Sequence, residues 1–106
     1  MSKILIASVA LVGLTSTPAL AAAASGDPDH GEVLARHWCA PCHIVSDDQQ
    51  RGADNVPTFS AVANRPGFDP VKIASFLRDP HAKMPDMQLS TYESDDLAAY
   101  IASLKK

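Results

Sequence analysis

Cysteine is scarce in this chain. There are two in 106 residues, and they stand three positions apart, at Cys39 and Cys42. A framework of several disulfides is therefore excluded, and one short bridge is the most the chain could form. Large aromatics are also few: Trp38, Phe59, Phe68, Phe76, Tyr92 and Tyr100. Beyond the N-terminal apolar stretch, no run approaches the roughly 20 apolar residues of a membrane span. Positive charge does not prevail either. Nine Lys and Arg face twelve Asp and Glu, a net charge of −3. That balance argues against nucleic acid or an anionic membrane surface as a partner, since both attract basic proteins. No convincing strand pattern, internal repeat or low-complexity tract is present.

What is there begins with an export signal. Met1-Ser2-Lys3 is a short positive start, and Ile4 to Leu14 is apolar apart from small residues. Thr15-Ser16-Thr17-Pro18 breaks the run, and Ala19-Leu20-Ala21 has the small-x-small form of a cleavage site. Residues 1–21 are expected to be a cleaved signal peptide, with the cut falling somewhere in Ala19–Ala24. An uncut N-terminal anchor is the alternative. Cleavage would remove one lysine and no acid, leaving eight basic residues against twelve acidic ones and a net charge of −4. The remaining ~85 residues would make one small domain, of a size at which a core alone is marginally stable. Such a domain often needs a metal, a disulfide or a large cofactor.

The mature chain reads as all-α. Residues 22–28 form an expected flexible lead, followed by a domain over 29–106. Asp29 can cap a first helix with Val33, Leu34 and Trp38 at helical spacing, running into Cys39. Residues 44–57 are polar and aperiodic, hence a loop. Thr58 to Ala63 suits a short helix before the stop Asn64-Arg65-Pro66-Gly67. Asp69 and Pro70 start a third helix with Ile73, Phe76 and Leu77, and Asp79-Pro80 ends it. A Pro-rich loop over 79–89 holds Met84 and Met87. Ser90-Thr91-Tyr92-Glu93 is a capping box for a last helix to about Leu104, with Leu97, Tyr100, Ile101 and Leu104 on one face.

The chemistry is concentrated in Cys39-Ala40-Pro41-Cys42-His43, a C-x-x-C-H sequence. Two thiols at this spacing can reach both vinyl groups on one edge of a porphyrin, and the next histidine can ligate the iron. One covalent haem c would also supply the apolar volume that the few aromatics do not. An export signal agrees with it, because bacteria attach this haem outside the cytoplasm. Other readings exist. Trp38-Cys39-Ala40-Pro41-Cys42 also resembles a thioredoxin-like site, and Val56-Pro57-Thr58 the proline segment facing such a site. That fold needs a strand before Trp38, where this sequence reads as helix, and a longer gap before Pro57. Zinc would want a fourth ligand, and none is evident. A plain structural disulfide is the remaining alternative. For a sixth iron ligand, a methionine thioether is the usual partner in electron carriers. Met84, which precedes Pro85, is favoured, with Met87 and then His81 as alternatives. His30 and His37 read as ordinary helix histidines.

With these residues in view, the chain resembles the small class I c-type cytochromes of bacteria with a single haem. The resemblance rests on Gly31 and Leu34 ahead of Trp38 to His43, on Val56-Pro57-Thr58-Phe59, on Pro80-His81-Ala82-Lys83-Met84-Pro85, and on Leu89-Ser90 with Asp96 to Ile101. It spans nearly the whole mature chain. It implies a cytochrome c fold of three to five short helices wrapped around the haem. It implies that Gly31 lets the first and last helices cross closely beside Tyr100. It further implies that the Pro57 carbonyl accepts a hydrogen bond from His43, and that the methionine before proline, here Met84, is the axial ligand. The expected protein is a monomeric periplasmic electron carrier, not an enzyme, meeting redox proteins transiently. A thiol-disulfide oxidoreductase, or a haem sensor or enzyme subunit with an open iron site, is the runner-up.

Overall fold

Four α-helices and one π-helical turn make up the computed structural model, which describes residues 25–80 and 83–106 together with Gly13. The expected signal peptide, Gly13 apart, and His81 lie outside the described residues. No strand occurs among the described residues.

Helix α1 covers Pro28–Leu34. Its cap is Asp27, not the expected Asp29: the Asp27 carboxylate accepts from the Asp29 and His30 amides, and Pro28 occupies the first turn. Gly26 and Asp27, placed in the expected lead, therefore lie against the fold. The Asp27 amide donates to Asp96 Oδ1 at 2.6 Å. Without interruption α1 enters a π-helical turn, Ala35–Cys39, closed by the Ala40 amide donating to the Ala35 carbonyl at 3.0 Å. The turn delivers Cys39 into the core, where it is buried.

Helix α2 is Phe59–Ala63, with Thr58 as its cap. Helix α3 is Pro70–Arg78, with Asp69 accepting from the Val71 amide. Helix α4 is Thr91–Ser103, opened by the full capping box of Ser90 and Glu93. These starts agree with the expected ones because each depends on neighbours within three or four residues. Segment 44–57 is a loop, as expected, and so are the described residues of 79–89.

The long α4 is the centre of the molecule, and α1, α2 and α3 all pack on it. Leu97, Ala98, Tyr100 and Ile101 are buried along its inner face. Burying a side chain such as Leu97 stabilises by about 1.5–3 kcal/mol. Opposite them stand Ala35, Cys39, Val45, Phe59, Ala63 and Leu77.

The inward face of α1 differs from the expectation. Val33 is 63% exposed and Trp38 53%. The buried positions are Gly31, Ala35 and Cys39, four apart and all small. Small residues win because the helix axes approach too closely for large ones. A Cβ on Gly31 would collide with the Asp96 carbonyl and sit 2.8 Å from the Tyr100 Cβ. The close crossing of α1 and α4 implied by the resemblance is thus present.

Candidate functional site

The C-x-x-C-H segment leaves the π-helical turn as a tight reversal. The Cys42 and His43 amides both donate to the Cys39 carbonyl, at 3.1 and 2.8 Å. The two cysteines are not bonded to each other, Cys39 being buried and Cys42 exposed. Burial pushes the Cys39 thiol up to about 11. An attacking thiol in disulfide exchange needs the reverse, a lowered pKa and access. Cys39 is therefore poorly suited to be the attacking thiol of an oxidoreductase.

His43 is partly buried, and its Nδ1 lies 2.6 Å from the Pro57 carbonyl oxygen. A carbonyl only accepts, so Nδ1 carries the proton and donates. Nε2 is thereby left with its lone pair, the form of imidazole that ligates a metal. The ring is tilted against Phe59 at 5.4 Å between centroids, and Phe59 in turn against Tyr100 at 6.4 Å. Tyr100 donates its buried hydroxyl to the Val45 carbonyl at 2.6 Å. His43, Pro57, Phe59, Val45 and Tyr100 thus form one connected set, drawn from three parts of the sequence.

The methionines sit on the 79–89 loop. Met84 is partly buried and packs against the core cluster that includes Cys39 and Phe59. Met87 is also partly buried. It lies inside a tight turn in which the Gln88 amide donates to Asp86 Oδ1 at 2.9 Å. Gln88 there has a left-handed backbone, φ 53°. His30 and His37 take no part in the site. His30 is bound to Asp96 at 2.6 Å, and His37 rests edge-on to Trp38. Among the described residues, no group of three or more His, Cys, Asp and Glu could hold a free metal ion. The zinc alternative gains no support. Paired thiols, an imidazole with a free Nε2 and a partly buried thioether suit haem c.

One residue escaped the sequence pattern. Gln49 reaches back to the attachment segment. Its Nε2 donates to the carbonyls of Ala40, His43 and Arg51, at 2.9, 2.7 and 2.8 Å. Its Oε1 accepts from the Val45 amide at 3.0 Å. A lone glutamine in a polar loop carries no signal for this.

A helical frame closed around a C-x-x-C-H reversal defines the class of c-type cytochromes, and comparison with known proteins agrees. The family model described as "Cytochrome C oxidase, cbb3-type, subunit III" matches residues 26–101. A curated relative, cytochrome c-552 of Bradyrhizobium diazoefficiens (strain JCM 10833 / BCRC 13528 / IAM 13628 / NBRC 14792 / USDA 110), is 48% identical over 97 residues. The alignment covers 92% of this chain and 89% of that protein. No solved structure gives a significant match. The chain belongs to the small class I c-type cytochromes. It is an all-α electron carrier with covalently bound haem c and its iron, and it transfers electrons rather than transforming a substrate.

Proposed function

We propose that this protein is a periplasmic one-electron carrier in which Cys39 and Cys42 hold the haem by thioether bonds and His43 and Met84 fill the two axial positions. The observation that carries this reading is the 2.6 Å bond from His43 Nδ1 to the Pro57 carbonyl. It fixes both the tautomer and the direction of the ring, and a donor on the far nitrogen makes the imidazole a firmer ligand.

Haem c supplies a one-electron ferrous–ferric couple when bound. The chain's own residues decide how that couple behaves. His43 and Met84 together would close the iron to small ligands and keep its surroundings alike in both redox states. A thioether favours the reduced iron and raises the potential. Met84 is preferred to Met87 because it packs against the core cluster and precedes Pro85, which stiffens the loop. Tyr100, bonded to Val45, supports the segment that follows His43.

The remaining assignments rest on the sequence. Residues 1–21 would direct export and be removed within Ala19–Ala24, leaving the cytochrome domain in the periplasm. No helix among the described residues is long and apolar enough to cross a membrane. Partners would be redox proteins met through small, short-lived interfaces. The acidic balance of the chain suits partners with basic docking faces. The working unit would be a monomer.

Carbon monoxide tests the closed site. The ferrous protein near neutral pH is expected to keep its visible spectrum unchanged under carbon monoxide. A carbonyl spectrum in the native protein would show an open iron site and favour a sensor or enzyme subunit instead.

A further inference from the structure

The loop between His43 and Pro57 does more than connect them. It folds back along the attachment segment, and the contact is dense. The Ala53 amide donates to the Cys42 carbonyl at 2.7 Å, and the Phe59 amide to the Ile44 carbonyl at 3.0 Å. Gly52 comes so near that a Cβ there would stand 2.8 Å from the Cys42 carbonyl oxygen. At the centre is the Gln49 carboxamide. Its oxygen faces an amide and its nitrogen faces three carbonyls, so the orientation of the group is determined. Two amino hydrogens serve three acceptors, Ala40, His43 and Arg51. The bonds bracket His43: Ala40 lies three residues before it, its own carbonyl is held, and Val45 lies two after.

The turn that carries Gln49 is anchored separately. The Arg36 guanidinium binds Glu32 at 2.8 Å and Asp48 at 3.2 Å, and Ser46 donates to Asp48 at 2.5 Å. Loop anchoring and attachment-segment bonding therefore fall to different residues. Arg36 holds the turn to α1, and Gln49 holds the peptides around His43.

We infer that Gln49 is the positioning residue of the axial histidine, fixing the backbone of His43 at one end of the side chain while Pro57 fixes the ring at the other. This rests on the reading of His43 as iron ligand. The partners of Gln49 are main-chain groups, so in this role it acts through His43. A glutamine suits the task because one planar group offers an acceptor and two donors on a stem long enough to cross the loop. Asparagine would be one carbon short. Glutamate would keep the acceptor for Val45 and set a carboxylate against three carbonyl oxygens.

The test uses ferric holoprotein and proton NMR. The hyperfine-shifted haem methyl resonances report the orientation of the axial ligand rings, and amide exchange at Val45 reports the Oε1 bond directly. In Gln49→Leu the methyl pattern should change and the Val45 amide should exchange about tenfold faster, the scale of one lost hydrogen bond. In Gln49→Glu the Val45 amide should stay slow while the methyl pattern still changes. His30→Gln, which loosens the α1–α4 contact away from the site, should lower stability and leave the methyl pattern alone. An unchanged methyl pattern in both Gln49 variants would overturn the inference, whatever their stability. If Gln49→Leu yields no holoprotein, Gln49→Glu decides the matter on its own. Axial imidazole signals that belong to a histidine other than His43 would instead sink the ligand reading, and with it the role of Gln49.

Discussion

Gly31 shows how one absent carbon shapes this molecule. Any side chain there would run into the Asp96 carbonyl and the Tyr100 Cβ. Gly31→Ala should therefore force α1 and α4 apart and cost about 1–3 kcal/mol, the usual range for overpacking. Guanidinium unfolding of the holoprotein, followed by helical circular dichroism, would measure it. A cost near zero would mean that the crossing can relax. Tyr100 offers a second handle. Its hydroxyl is buried and donates to the Val45 carbonyl. Tyr100→Phe should cost about 1–3 kcal/mol by stranding that buried carbonyl, with the visible spectrum unchanged. At this scale the sequence was partly transparent. The cysteines, His43 and the methionine before Pro85 stand out by residue type and spacing. Gln49 does not, because its partners are main-chain groups, and every residue has those.

Among the elements, the helix starts were the most legible part. Thr58, Asp69 and the Ser90–Glu93 box act on amides a few residues away, so a short window of sequence holds all the needed information. Replacing Asp69 by alanine should cost about 1 kcal/mol, read from the same unfolding curves. Helix α1 was less legible. Val33 and Trp38 look like a core face and instead meet solvent, since the α4 crossing accepts only Gly31, Ala35 and Cys39. The π-helical turn that leads into the attachment segment has no signature in its residues either. The α1–α4 junction also carries a pH dependence. The hydrogen bond to Asp96 raises His30 above its ordinary 6.5, opposed by slight desolvation and helped by the charges of Asp96, Asp27 and Glu93. Partial burial would raise Asp96, but the Asp27 amide and His30 outweigh it and hold it below 3.8. Stability from His30 is thus full below pH 6.5 and lost as pH rises through its raised value. Stability from Asp96 is present above pH 3.8 and lost as pH falls through its lowered value. The stability gap between the unsubstituted protein and His30→Gln should be largest between those limits and shrink in alkaline buffer. A gap independent of pH would show that the charge on His30 contributes nothing.

Over the whole molecule, scarcity explains the design. With six large aromatics and no disulfide, the chain relies on small residues for close helix crossings and on its cofactor for apolar bulk. Helical spacing and capping residues made the all-α class readable before any geometry, and the cofactor explains why two long loops are tolerated in so small a domain. The loops are not idle: 44–57 supplies Gln49 and Pro57, and 79–89 holds the proposed ligand Met84. The bond from His43 to Pro57 was expected from the resemblance and is present, but the closure made by Gln49 could not be read from the sequence, since it depends on main-chain groups of other segments. The proposed pairing of His43 with Met84 is the claim on which the closed carrier depends. The charge-transfer band of methionine-ligated ferric haem, at the red end of the visible spectrum, tests it most directly. In holoprotein at neutral pH the band should be present in the unsubstituted protein and in Met87→Ala, and absent in Met84→Ala. A band that survives in Met84→Ala would contradict the assignment.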